Sequence, residues 1–354
     1  MKFGEIVALR GRRRMRSVGG GAAVRSPLRQ AQTGSGRSVG MDDDLRVAAE
    51  TAIHQCLDLG DDESLAVVTD DKREAIGEAL YAVASEVTAD ASVVRYPPAS
   101  QHGEEPPAAV AAAMREADAF LAPTTKSLSH TRARGAACEA GARGATLPGI
   151  TREVFVSGLE ADYEAIARHC DDVLDQVGDA DEIRVTTEAG TDITVEPGDR
   201  EFLADTGDVS EAGSFSNLPA GEVFVSPEDA NGTYVVDGTM MPYGLLEGRQ
   251  LRFEVKDGFV TEISDDEVRA QVEAAAEDVG RDAYNLAELG IGTNVGVADL
   301  VGSVLLDEKA AGTVHIAIGD DAGIGGDTDA PLHLDGIVTE PTVWADGKEV
   351  ELPR

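Results

Sequence analysis

The chain is short of lysine, aromatics, histidine and cysteine, and each shortage removes a class of protein. It has 6 lysines, and Lys and Arg together number 30 against 66 Asp and Glu, a formal net charge of −36. Such a surface repels a phosphate backbone, which speaks against nucleic acid as a partner. The three cysteines, Cys56, Cys138 and Cys170, have no C-x-x-C spacing. That argues against a closed thiolate zinc site and reads as reduced thiols in a cytoplasmic protein. No stretch reaches the roughly 18 apolar residues of a membrane span, so no membrane partner is expected. Aromatics make up only 4%. With abundant Ala, Gly, Val, Thr and carboxylates, this composition fits solubility in concentrated salt, where screening relieves self-repulsion. A halophilic source is the expectation.

The charge is unevenly spread. Residues 1–40 hold nine basic residues and one acidic one, Glu5, whereas the rest hold 21 basic and 65 acidic. This opening segment is rich in Gly, Ser and Arg and has no hydrophobic period, so disorder is expected. Arg12-Arg13-Arg14 is not followed by the apolar region of an export signal. The segment reads as an upstream mis-start, with Met41 as the true first residue, or as a basic extension.

The 354 residues leave room for two domains with real cores. Residues 41–178 alternate helix and strand. A helical pattern from Asp42 to about Leu59 puts Leu45, Ala48, Ala52 and Cys56 on one face. Strands are expected at 64–69, 91–96, 119–122 and 144–147, and helices to about Glu86, from Pro107, from His130 to Gly141 and from Glu160 to Val177. Asp70-Asp71 are expected to cap the second helix. This alternation predicts a doubly wound α/β domain with a parallel sheet. No G-x-G-x-x-G follows the first strand, so no dinucleotide site is expected. The polar loop 125–134 lies at a strand's C-terminal end, where open α/β sheets bind ligands. Its other reading is a solvated loop in which Ser129 or His130 caps a helix. Residues 179–354 change grammar. Hairpin signals at 183–196 and 250–263, with further strands at 222–225 and 233–236 and one helix over 265–278, predict an α+β domain with a largely antiparallel sheet.

Only two histidines lie beyond residue 170, His315 and His333. In an extended Leu332-His333-Leu334-Asp335, residues i and i+2 share a face, so an imidazole and a carboxylate stand together while the leucines face a core. The glycine-rich loop 319–326 can fold the chain back so that both histidine strands present ligands to one place. Glu222, between Gly221 and Val223, and Glu288, in Leu286-Ala287-Glu288-Leu289-Gly290, sit where a carboxylate is poorly solvated and needs a partner or a metal. A surface glutamate is the alternative for each, most strongly for Glu308 between Asp307 and Lys309. Glu222, Glu288, Glu308, His315, His333 and Asp335 suit two divalent ions with one carboxylate bridging. The mixed nitrogen and oxygen set suits Zn, Co or Mn, and two such ions about 3.5–4 Å apart perform hydrolysis.

NLPAGEVF, ELGIGTN, DEK…TVHIAIG and HLDG, spanning residues 217–336, resemble the metallo-aminopeptidases typified by aminopeptidases T and S and PepS. GARGATLPGIT at 141–151 and the opening helix and strand are similar too. The resemblance implies that Glu222, Glu308, His315, His333 and Asp335 belong to the metal site, and that Glu288 bridges or acts beside the attacking water. It implies catalytic roles for Glu288 and Glu308, a peptide substrate with a free N-terminus, and a homodimer. The chain departs from that pattern at Ala322, where those peptidases carry a tyrosine. Tyr234, Tyr243 and Tyr284 are the substitutes to consider. The chain is also similar to the 2,5-dihydroxypyridine dioxygenases, which use one ferrous ion and place a histidine where this chain has Glu288. In that case His315, His333 and Asp335 would supply the iron ligands. A third reading is a metal-binding protein without turnover.

Overall fold

The structure is a computed structural model that describes residues 42–354. The expectations for residues 1–40 lie outside the described residues. Three sheets organise the described chain. The first has five strands in the order Ala91–Tyr96, Leu65–Asp70, Ala119–Thr124, Arg143–Pro148 and Phe215–Asn217, each pair parallel. Leu65–Asp70 and Ala119–Thr124 are buried at every position, as strands covered on both faces must be. Alternate residues feed two cores. Leu65, Val67, Leu121 and Leu147 pack on one face with Ile76 and Leu80 of the Glu74–Val87 helix. Ala66, Val68, Phe120 and Ala122 pack on the other with Val110 and Met114 of the Ala108–Glu116 helix. This is the doubly wound α/β layer read from the sequence. Leu45, Ala48, Ala52 and Cys56 are buried as their spacing required. Their helix runs as α from Asp43–Glu50 and widens to a π turn over Thr51–Cys56.

Local details differ from expectation where side chains found other partners. Asp70 does not cap the Glu74–Val87 helix, whose N-cap is Arg73. Its carboxylate instead takes the Lys72 N–H at 2.9 Å and the Thr125 hydroxyl at 3.0 Å, closing the gap between the ends of two adjacent strands. The helix after loop 125–131 is capped by Thr131, not by Ser129 or His130. A short helix, Arg152–Leu159, precedes Tyr163–Val177. Arg143 is 6% exposed and makes two 2.7 Å hydrogen bonds to Glu63. It also donates to the Leu57 carbonyl at 3.1 Å, tying the first helix to the sheet.

The later residues build two seven-stranded sheets, antiparallel at every strand pair. One contains the Ile183–Thr186 and Asp192–Glu196 hairpin and the Leu251–Lys256 and Phe259–Ile263 hairpin. The latter turns through Asp257 and Gly258 at positive φ. The other runs Gly244–Leu245, Thr239–Met240, His333–Val338, Val314–Gly319, Leu286–Gly292, Glu222–Val225 and Leu203–Asp205. Residues 41–354 form one compact unit. Among the described residues no helix is long and apolar enough to cross a membrane.

Candidate metal centre

The last of these sheets carries the centre, and its register explains why. Gly292 pairs with Glu222, Gly290 with His315, Glu288 and Asp335 both with Ala317, and His333 with Gly319. Residues that pair, or stand two apart on one strand, share a face. Glu222, Glu288, His315, His333 and Asp335 therefore line a single face over four adjacent strands. The positions between them on that face are Gly290, Gly292, Ala317 and Gly319. These small residues leave a basin above the backbone. A Cβ on Gly290 would lie 2.1 Å from His315 Cε1 and Nε2, so glycine is required there by the imidazole itself.

The donors fall into two groups that share one residue. Glu222, Glu288 and His315 form one, and Glu288, His333 and Asp335 the other. His315 Nε2 lies 3.4 Å from Glu222 Oε2 and 3.2 Å from Glu288 Oε1. His333 Nε2 lies 3.3 Å from Glu288 Oε2 and 3.3 Å from Asp335 Oδ1. Each imidazole spends its other nitrogen on a backbone carbonyl: His315 Nδ1 on Glu308 at 3.1 Å and His333 Nδ1 on Asp320 at 2.7 Å. Only an N–H satisfies a carbonyl, so the Nδ1 atoms carry the protons and both Nε2 lone pairs face carboxylates. A lone pair opposite a carboxylate requires a cation between them, either a second proton or a metal ion.

The fit to metal is good. Ligand atoms bound at about 2.0–2.2 Å around one ion stand about 3.0–3.4 Å apart, which matches these spacings. Glu222 Oε2 is buried and has no hydrogen-bond partner among the described residues. The four carboxylates of Glu222, Glu288, Glu308 and Asp335 are offset by one ammonium, Lys309, which leaves three negative charges in a buried space. The acid–base balance reflects this hunger for cations. Burial pushes Glu222 up to about 8 against the pull of Lys309 and His315. Burial opposes charge on His315, yet Glu288, Glu222 and Glu308 lift it to about 9. His333 is likewise carried well above its ordinary value, burial being outweighed by Asp335 and Glu288. Burial would raise Glu288 too, but hydrogen bonds from both imidazoles and their charges hold it below the usual carboxylate range. In the absence of metal, protons fill the place of the missing cations.

Glu308 belongs to neither group. Its side chain is nonetheless only 14% exposed and its neighbours Asp307 and Lys309 are buried, so the surface reading of Asp307-Glu308-Lys309 is wrong. Asp307 takes the Val301 and Gly302 N–H groups at 2.9 and 2.8 Å and fixes the turn. Glu308 Oε1 pairs with Lys309 Nζ at 2.9 Å, and burial raises its carboxyl against the pull of Lys309. Lys309 also bonds Glu222 Oε1. Sequence reasoning missed this lysine, although its rarity in the chain was a usable signal. It also missed Asp321. That buried carboxylate takes Ser226 Oγ at 2.9 Å, Asn285 Nδ2 at 2.8 Å and the Thr328 N–H at 2.6 Å. It anchors the loop whose Asp320 carbonyl orients His333.

No described tyrosine replaces the one expected near Ala322. Ala322 is exposed on this loop. Tyr234 is buried and stacked on Phe253 with ring centroids 4.5 Å apart. Tyr243 bonds Asp265 at 2.8 Å, and Tyr284 lines a surface groove with Thr261, Arg269 and Glu273. Loop 125–131 does reach toward the centre. A Cβ on Gly323 would lie 3.6 Å from His130 Cε1.

Fold and donor set define the class: a parallel α/β layer joined to antiparallel sheets that carry a candidate metal centre of oxygen and nitrogen ligands. Residues 45–351 match the family described as NicX, 2,5-dihydroxypyridine 5,6-dioxygenase, and the chain belongs to that family. Among curated proteins none matches. Of solved structures, the 2,5-dihydroxypyridine dioxygenase from Pseudomonas putida KT2440 is similar at 20% identity and a TM-score of 0.72, over 86% of this chain and 94% of that one. Wild-type AmpT from Thermus thermophilus is similar at 19% identity and a TM-score of 0.62, over 87% of this chain and 99% of that one. These likenesses show the fold.

Proposed function

We propose that this protein is a metal-dependent hydrolase of the aminopeptidase type, acting on the N-terminal residue of a peptide. The observation that carries this reading is Glu288, whose two oxygens face two different imidazoles and join two ligand groups into one centre. Glu222, Glu288 and His315 would hold one ion, and Glu288, His333 and Asp335 the other. Two divalent ions there, Zn, Co or Mn, supply Lewis acidity and a water that ionises near neutral pH. Glu308 stands beside the centre but outside both ligand groups, so it would be free to accept that water's proton. Glu288, with its two oxygens committed to the two ligand groups, would be the poorer base. The excess of carboxylates draws in the substrate's free ammonium. Ala322 leaves out an oxyanion donor worth about 10²–10³ in rate, so slow turnover is expected. A homodimeric, cytoplasmic protein is part of the same proposal, checked by its mass in solution.

The second reading is a ring-cleaving dioxygenase with one ferrous ion on His315, His333 and Asp335. Family membership and the dioxygenase neighbour favour it. One ion there would leave Glu222 Oε2, which has no hydrogen-bond partner among the described residues although Oε1 is paired with Lys309, without a ligand role, which is why we favour two ions. Metal content per chain after purification without chelator, with leucine p-nitroanilide and 2,5-dihydroxypyridine as substrates, separates the two. Two ions with amide hydrolysis support the proposal. One iron with ring cleavage overturns it.

A further inference from the structure

Lys309 has no part in the chemistry described so far, yet it sits at the heart of the centre. Its side chain is 5% exposed and touches Glu222 and Glu308. Its backbone is fixed on both sides of the residue. The Lys309 N–H bonds the Leu306 carbonyl at 3.0 Å, and its own carbonyl takes the Asn294 N–H at 2.8 Å. Gly292 approaches so closely that a Cβ there would lie 2.9 Å from the Lys309 carbonyl carbon. The ammonium therefore has little freedom to withdraw. It reaches one half of the centre only. Glu222 offers Oε1 to Lys309 and keeps Oε2 toward His315. In the other half, His333 and Asp335 form no ion pair with any lysine or arginine among the described residues, and 33% of the His333 side chain is open to solvent. His315, in the first half, is 1% exposed.

We propose that Lys309 is a positioning residue that ranks the two halves of the centre. The Glu288–His333–Asp335 half takes up a divalent ion first and tightly, and the Glu222–Glu288–His315 half takes up its ion second and weakly. This rests on the two-ion reading above. The physical reason is twofold. A fixed positive charge on Glu222 repels a divalent ion that must share that carboxylate, and it restricts Glu222 to one oxygen as a ligand. The open half also lies on the way in from solvent, so an ion reaches it before the buried half. The arrangement reconciles a donor set built for two ions with membership of a family described as a dioxygenase. At low metal supply the chain would hold a single ion at His333.

The test is cobalt(II) binding to the full chain, followed by calorimetry and by visible absorption, with activity not required. The native protein should bind in two steps separated by at least about tenfold in affinity. Lys309→Met and Lys309→Gln should narrow that gap by tightening the second step, and Lys309→Arg, which keeps the charge, should preserve it. His333→Ala should remove the tight step, and His315→Ala the weak one. Should the Met variant fail to fold, the Gln variant and the two histidine variants decide. One ion in the native protein and two in the neutral variants would also support the proposal. A gap unchanged in the neutral variants, with only the melting temperature lowered, would reduce Lys309 to a structural role and overturn it while leaving the two-ion reading intact. One ion in every variant would overturn both.

Discussion

Stripping divalent ions from this protein should make its stability fall as pH rises through the neutral range. His315 moves from 6.5 to about 9 on folding because Glu288, Glu222 and Glu308 surround it, despite the cost of burial. Below pH 6.5 folded and unfolded chains both carry its proton and the contribution is whole. Above pH 9 neither carries it and the contribution is gone. The shift corresponds to about 3 kcal/mol, or roughly 3–6 °C in melting temperature for a chain of this size. His333, also raised, adds in the same direction. So does Glu222, whose carboxyl stays protonated in the folded state up to about 8. Burial raises the carboxyls of Glu308 and Asp205 and the thiols of Cys56 and Cys170 as well, which act in the same direction. His102 and His130 are lowered by burial and are neutral in both states above this window. Glu288 and Asp335 are held low and matter only in acid. Bound ions replace these protons, so the loaded protein should not show the fall. Thermal melts across this range with chelator and with cobalt test this, and His315→Gln should make the chelated curve shallower, leaving the part due to His333 and Glu222. A chelated melting temperature that stays level or rises with pH would refute the assignment of His315 as the proton-loaded cation of the empty centre.

Three substitutions probe the same architecture. Glu288→Gln should lower metal content and reduce hydrolysis by at least about 10³, since one change weakens both ligand groups, with circular dichroism unchanged; full activity would sink the bridging role. Gly290→Ala places a methyl 2.1 Å from the His315 ring, so it should cost one ion per chain by metal analysis without altering any ligand. Arg143→Met leaves Glu63 and the Leu57 carbonyl without their buried partner and should destabilise by about 3 kcal/mol in urea melts, with metal content unchanged.

Much of this protein was legible in its residues. Continuous apolar runs at 65–68 and 119–122 declared strands covered on both faces, and the switch to hairpin signals after residue 178 declared antiparallel sheets. His333 and Asp335 share a face because any strand makes them do so. Glycine-flanked Glu222 and Glu288 declared carboxylates held away from water. These are local facts, fixed by spacing of two or of three to four residues and by the cost of burying charge.

What the residues alone could not give is pairing between distant strands. Register decides that Glu288 and Asp335 both stand over Ala317, and that Gly290 yields its place to His315. A shift of one residue would send half of these ligands to the opposite face. Capping went the same way. Asp70 has the sequence position of a helix cap, but the end of a neighbouring strand brought Thr125 closer. Lys309 looked like the flank of an exposed glutamate because sequence shows charge and not depth. The turn held by Asp307 points it inward, and only there do its contacts with Glu222 and Glu308 give it a purpose. Local chemistry chose the ligands, and long-range packing chose which of them meet.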